Sequence, residues 1–362
     1  MIFRVQLVLL HIYMTKKTIR FIINPISGTV KKAGIPKLIE EVLDQERFSY
    51  TIAETEHAGH ATELAKEAAH AGIDLVVAVG GDGTVNEVAR SLVHTQTALG
   101  ILPCGSGNGL ARHLMLPLNM RKTMEIINRC EIHDVDYGLI NDIPFFCTCG
   151  MGFDAFISQK FAEAGKRGKV TYIENVLKEG LTYKPETYRI EDEDGVTTHQ
   201  AFLISCANAS QYGNDAYIAP QASMTDGLLD VIIMEPFDML EAPQVAIELM
   251  NKTLDKSQKI KTFRTRHIHI HRKQPGWIHY DGDPVMADAD VDIRLVPKGI
   301  KMVINPEADK SKRQPNVVQS AFSELFNDIQ DIREDITKQS RNIQALNKKL
   351  LRKLKKNEGG HR

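Results

Sequence analysis

The sequence has few cysteines, one tryptophan, no excess of either charge and no long apolar run. Five cysteines in 362 residues (Cys104, Cys130, Cys147, Cys149 and Cys206) are too few and too scattered for a disulfide scaffold. Cys147 and Cys149 have no second pair at zinc-ligand spacing, so they read as two strand residues on one face. Lys plus Arg total 45 against 46 for Asp plus Glu, which gives no reason to expect a nucleic-acid partner. The most apolar stretch near the start, residues 1–14, is too short to cross a membrane and is broken by Arg4, Gln6 and His11. No small-residue cleavage site follows it. Met14 is therefore the expected true start, with residues 1–13 an upstream artefact of the reading frame, and the expected location is cytoplasmic.

What is present fits a globular protein. Apolar residues make up 43% and charged residues 25%, enough to bury real cores. At roughly 150 residues per domain the length predicts two domains. Thr18–Ile23, Tyr50–Glu54, Ile73–Val79 and Ala98–Leu102 read as strands, and Ile35–Glu46 and a segment from about Val85 as helices. Strands alternating with helices predict an α/β domain with an open, mostly parallel sheet over residues 15–135. Beyond about Val135 the runs Phe145–Thr148, Ala201–Ala207, Leu229–Met234, His267–His271 and Val291–Val296 predict a mostly antiparallel β domain over residues 136–308, interrupted by a helix at about Lys169–Glu179.

Three loops carry the chemistry. Gly80-Gly81-Asp82-Gly83-Thr84 follows a buried strand and opens a helix. Glycines let backbone approach a bulky anion, and a helix start offers free N–H groups and a positive dipole end. It is neither a Walker loop nor a dinucleotide fingerprint. A carboxylate beside phosphates repels them unless a cation intervenes, so Asp82 points to a magnesium nucleotide. Pro103-Cys104-Gly105-Ser106-Gly107-Asn108-Gly109 and Asn24-Pro25-Ile26-Ser27-Gly28 likewise follow strands. Three such loops at strand carboxyl ends would line one crevice.

NPISG at 24–28, GGDGTVNEV at 80–88 and PCGSGNGLA at 103–111 resemble the diacylglycerol kinase catalytic-domain superfamily, which includes bacterial lipid kinases and the sphingosine and ceramide kinases. Further matches at 150–155, 208–213, 226–231 and 281–283 extend the resemblance over about 15 to 305, in family order. It implies a phosphofructokinase-like first domain, a β-sandwich-like second domain, and transfer of the ATP γ-phosphoryl group to a lipid hydroxyl with Mg²⁺. It implies nucleotide contacts from Asn24, Pro25, Ser27, Gly28, Thr55, Gly80, Gly81, Asp82, Gly83, Thr84, Asn86, Glu87, Ser106, Gly107 and Asn108. Asp283 falls where the family's general base sits, with Asp82 as a second catalytic candidate. Asp154 falls at the lipid-headgroup acid, and Asp226 with the carbonyls of Ser223 and Leu228 at a structural magnesium site. The partner implied is a membrane lipid, met by peripheral association with the inner face of the membrane.

Two departures stand out. Position 283 is Asp where the family commonly has Glu, one methylene shorter, and in the third loop Ser106 and Gly109 stand where bacterial diacylglycerol kinases often have Thr and Asp. The second brings the loop nearer the sphingosine-kinase version. Tyr280-Asp281-Gly282-Asp283-Pro284 is also good turn chemistry by itself. The soluble-substrate alternative is a kinase of a hydroxyl compound such as NAD; the non-enzymatic one is a nucleotide or lipid sensor. His267, His269 and His271 are expected on a polar sheet face, Trp277 is expected to pack within the β domain, and His57 and His60 lie either at a helix start or near nucleotide.

The last segment, 316–356, predicts a helix with heptad spacing at Phe322, Leu325, Ile329, Ile332, Ile336, Ile343, Leu346 and Leu350. Residues 316–337 carry five acids and one base, and residues 338–356 carry eight bases and no acid. Two readings fit: a helix that packs on the body or pairs into a homodimer, or a basic arm on anionic lipid.

Overall fold

The computed structural model describes residues 16–27, 32–164, 180, 183–237 and 241–305. Gly28, the helix expected at 169–179, the stretch 1–13 and the tail 316–356 lie outside the described residues.

The first domain runs β1 (Lys17–Ile23), α1 (Ile35–Val42), β2 (Phe48–Glu54), α2 (His60–His70), β3 (Leu75–Gly80), α3 (Asp82–Leu92), β4 (Ala98–Pro103), α4 (Gly109–His113) and α5 (Met120–Arg129). Strands β2, β1, β3 and β4 pair in that order, all parallel. Every residue of β3 and β4 is buried, as strands covered on both faces require. Helix α1 buries Ile35 and Ile39, one turn apart, against this sheet. It stops at Val42 rather than Glu46 because Asp44 forms a turn, its Oδ1 accepting the N–H groups of Glu46 and Arg47. Helix α3 begins at Asp82, inside the glycine loop, with Gly81 extended before it. The loop is thus also the first turn of the helix.

The second domain runs β5 (Ile132–Ile140), β6 (Ile143–Phe145), β7 (Thr148–Gly152), α6 (Phe153–Ala164), β8 (Glu186–Asp192), β9 (Gly195–Ala201), β10 (Leu203–Ala207), β11 (Leu229–Met234), α7 (Ala242–Met250), β12 (Ile260–Thr265), β13 (His267–Arg272), β14 (Gly276–Tyr280), β15 (Asp283–Ala287) and β16 (Asp290–Val303). One sheet, β12-β11-β10-β7-β14-β15, is wholly antiparallel. It packs on β5, β8, β13 and β16 through a core that includes Ile190, Ile268, Ile270 and Ile293 from one side and Met151, Ile204, Val231 and Ile278 from the other. This is an antiparallel β sandwich. Its other face is covered by α6 and an aromatic cluster of Phe153, Phe156, Tyr183, Phe202 and Phe237.

The sheets of the two domains are continuous. β16 pairs antiparallel with β13 and β5, bulges between Val296 and Ile300, and then lies parallel to β4 through Met302 and Leu99. The strand therefore begins in the sandwich and ends against the first domain.

Two sequence expectations need correction. Phe145–Thr148 is not one strand, because the N–H groups of Phe146, Cys147 and Thr148 are donated to the Asp281 carboxylate instead of to a neighbouring strand. Consequently Cys147 and Cys149 do not share a strand face: Cys147 packs into the first-domain core and Cys149 into the sandwich. The alternation of β13 is as expected: Ile268 and Ile270 point inward, while His267 faces Asp292 and His269 and His271 face Asp290 on the outer surface. Trp277 is half-buried on β14.

Candidate active site

The three small-residue loops lie at the carboxyl ends of β1, β3 and β4. Asn24 joins the first two, its N–H donating to the Val79 carbonyl and its Nδ2 to Thr84 Oγ1 at 3.0 Å. The second and third touch backbone to backbone: a Cβ on Gly105 would lie 2.6 Å from the Gly81 Cα. Asn108 is left-handed (φ 52) and clips its own loop, accepting from the Gly105 N–H and donating to the Gly105 carbonyl. Ser106 and Gly83 stand exposed at the crests, and Ile26 is 87% exposed at the tip of the first loop.

Asp82 is held in this assembly rather than displayed as a free ligand. Its Oδ2 accepts from the Asn108 N–H at 2.9 Å and its Oδ1 from the Gly109 N–H at 2.7 Å. Burial raises its pKa, and those two N–H donors pull it back. Lys32, which no motif marked, buries its ammonium against the first loop. It donates to the carbonyls of Asn24 and Ser27 and, at 2.5 Å, to Ser27 Oγ. The ammonium therefore ties the two ends of the first loop together. Thr55 is buried beside the first loop, its N–H donating to the Ile23 carbonyl. Glu87 turns away, accepting from the Gly59 N–H at 3.2 Å.

The second half of the site is the β14–β15 hairpin. Asp281 (φ 51) and Gly282 (φ 90) form a two-residue turn of the mirror-image type that suits strand twist. The Asp281 carboxylate gathers the N–H groups of Phe146 (2.8 Å), Cys147 (2.7 Å) and Thr148 (3.1 Å) and the Asn86 side-chain amide. Burial pushes its pKa up to about 6, against the pull of those N–H groups. Asp283 follows, its side chain 54% exposed, with Arg90 Nη2 at 3.4 Å from Oδ2. Arg90 also lies over the Tyr280 ring, 4.5 Å from its centroid. The turn is thus real, and it is what presents Asp283.

Below the turn, Asp154 lies in the first turn of α6. Its Oδ1 accepts from the Ala155 N–H, and its Oδ2 meets Tyr212 Oη at 3.1 Å and His279 Nε2 at 3.0 Å. His279 is buried, and its Nδ1 accepts from the Gly282 N–H at 3.4 Å, which places the ring proton on Nε2 facing Asp154. Gly150 makes room: a Cβ there would lie 2.7 Å from Asp154 Oδ2.

The 223–228 loop stands apart. Asp226 Oδ1 accepts from the Leu228 N–H, and Oδ2 faces Arg264 Nη1 at 3.6 Å. Arg264 also binds Asp230 Oδ1 at 3.1 Å and donates to the Gln221 carbonyl. Buried Asp136 anchors the loop, accepting from the N–H groups of Gly227 and Lys298. At the loop expected to hold magnesium, one guanidinium is therefore shared between two carboxylates, Asp226 and Asp230. At the start of α2, His57, His60 and Glu63 bring ligand atoms within 4.8 Å of one another. His60 Nδ1 accepts from the Glu56 N–H, which leaves its proton on Nε2 and no lone pair for a metal; its place is at a helix start.

The structure therefore joins the loops to the Asp281–Asp283 turn through α3, with Asn86 and Arg90 as the links. Lys32, Arg90 and His279 had no sequence signal for these roles, because their partners lie elsewhere in the chain or are backbone atoms; Tyr212 lies in the matched stretch 208–213, which did not say that it meets Asp154.

Residues 18–140 match the diacylglycerol kinase catalytic domain, and residues 147–304 match the YegS C-terminal NAD kinase beta sandwich-like domain. The chain is 30% identical over 303 residues to an uncharacterized protein of Synechocystis sp., covering 79% of this chain and 70% of that one. It is 29% identical over 262 residues to a probable lipid kinase YegS-like protein of Chromohalobacter salexigens, covering 70% and 84%. A crystal structure of a putative diacylglycerol kinase from Bacillus anthracis superposes with a TM-score of 0.67 at 23% identity, covering 81% of this chain and 96% of that one, which shows the shared fold. The loops, the turn above them and these matches together make the chain a kinase of the diacylglycerol kinase catalytic-domain superfamily.

Proposed function

We propose that the protein transfers the γ-phosphoryl group of magnesium-bound ATP to the hydroxyl of a membrane lipid, a diacylglycerol or a sphingoid-type lipid. The observation that carries this reading is the placement of Asp283, from the second domain, over α3, the helix that starts at the glycine loop.

The loop N–H groups and the α3 N-terminus receive the triphosphate, with the buried Lys32 charge holding the first loop in shape. Magnesium bound to the nucleotide would neutralise charge on its phosphates. Asp283 accepts the proton of the lipid hydroxyl; that oxygen bonds to the γ-phosphorus as the bond to the β-phosphate oxygen breaks, and ADP leaves. Asp154, held by Tyr212 and His279, faces the headgroup side. No step runs through the 223–228 loop. The basic stretch 338–356 would bring the enzyme to an anionic membrane surface.

The test is phosphate transfer from labelled ATP, with Mg²⁺, to mixed micelles of diacylglycerol, sphinganine, ceramide, monoacylglycerol or phosphatidylglycerol, with NAD as the soluble control. One labelled lipid names the substrate. Label in NAD alone overturns the lipid reading, and ATP binding without any product overturns the kinase assignment for this panel.

A further inference from the structure

We infer that Arg90 is the positioning residue for Asp283, and that α3 fixes the geometry between the phosphate loop and the base as one rigid piece; the catalytic part of this rests on the function proposed above.

Asn86 and Arg90 are four residues apart and so occupy one face of α3. Asn86 holds Asp281 and Arg90 meets Asp283, so one helix face grips both carboxylates of the turn. Arg90 also grips the strand beneath. Tyr280 and Asp283 are cross-strand partners at the hairpin end, and the guanidinium covers the ring of one while binding the carboxylate of the other. A guanidinium is planar and cannot lose its proton, so it does both tasks at once; an ammonium stacks and forks less well. Helical side chains lean toward the N-terminus, which aims Arg90 back toward the glycine loop.

Without Arg90, a half-exposed aspartate at the start of an edge strand would have no partner among the described residues that fixes its rotamer. Its charge environment would also change. Partial desolvation raises the Asp283 pKa, and the Arg90 charge opposes that rise. Among the described residues, the other charged or titratable groups beside it are Glu87 on α3, His279 and Tyr280 on β14 and the neighbouring Asp281 of the turn. Glu87 works against ionisation, which leaves Arg90 as the main cation on the ionised form.

The experiment follows the Asp283 carboxyl directly, by ¹³C NMR of aspartate-labelled free protein across pH, with Asp283→Asn to assign the signal. Arg90→Ala is expected to move the midpoint up by about half to one pH unit, the size of a partly screened guanidinium contact. Arg90→Lys is expected to keep the midpoint near wild type while losing several-fold in kcat, and it serves as the folded variant if Arg90→Ala is unstable. In turnover, Arg90→Ala shifts the acid limb of kcat upward by the same amount and leaves the KM for ATP within about threefold. An unmoved midpoint overturns the inference, as does a loss of activity that is equal at every pH. A shifted midpoint in a protein that phosphorylates no lipid would keep the positioning role and remove only the lipid assignment. Full activity in Asp283→Asn would remove both.

Discussion

Asp82 Oδ2 lies so close to Gly107 that a Cβ on that glycine would stand 2.8 Å from it. The carboxylate of the second loop is therefore part of how the third loop folds. Asp82→Ala would leave the Asn108 and Gly109 N–H groups without their acceptors. It is expected to abolish phosphoryl transfer and also to cost on the order of 2–3 kcal/mol of stability. Thermal unfolding of the variant beside its activity checks this; an unchanged unfolding temperature would return Asp82 to a purely ligand-facing role.

Asp283→Asn is expected to lower kcat by roughly 10²–10⁴-fold, the range for a lost general base. ATP affinity should stay within about threefold, since Asp283 contacts none of the three loops among the described residues. Steady-state kinetics with titration of an ATP analogue separate the two. Collapse of binding with kcat intact would mean that Asp283 serves the nucleotide instead.

Gly150→Ala should damage the headgroup side. The added Cβ would meet the Ile204 carbonyl oxygen at 2.5 Å, a backbone atom that cannot swing away, as well as Asp154 Oδ2. Overpacking of this kind costs about 1–3 kcal/mol. The expected result is a lower unfolding temperature and a raised KM for lipid, with the KM for ATP unaffected.

Asp281 makes a pH signature. Its folded pKa stands near 6, above the ordinary carboxylate value near 3.8 that applies when unfolded. Between those values the folded state keeps a proton that the unfolded state has released. Its contribution to stability is complete below about pH 4 and is lost as pH rises through 6, on the order of 2–3 kcal/mol. Denaturant unfolding at pH 4.5, 6 and 7.5 should show this slope in wild type and lose it in Asp281→Asn.

Removing residues 310–362 should reduce association with anionic vesicles or change the oligomeric state. Vesicle flotation and light scattering read the two. An unchanged mass with unchanged flotation would exclude both readings of the tail.

Much of this was legible in the residues. Strands β1, β3 and β4 are apolar runs ending in glycine-bearing loops, so the crevice could be read from order alone. The alternation of His267 to His271 placed the outer face of β13. The start of α3 was misplaced by three residues because the glycines disguise a helical first turn. Phe145–Thr148 looked like a strand because nothing local says that its N–H groups go to Asp281, more than 130 residues away. The same reason hid Arg90 and His279: a lone arginine on a helix and a lone histidine on a strand acquire meaning only from what the fold places beside them.

β16 starts in the sandwich and finishes beside β4. This has a consequence for the order of events during synthesis. When the first 140 residues have left the ribosome, β4 is still an open edge. It stays so until Ile300–Val303 are made, after the whole second domain. An early-made half with a bare strand edge invites wrong pairing. Excision of residues 15–140 as a free-standing nucleotide-binding fragment would reproduce that unfinished edge, so the two halves are best regarded as one folding unit closed by β16.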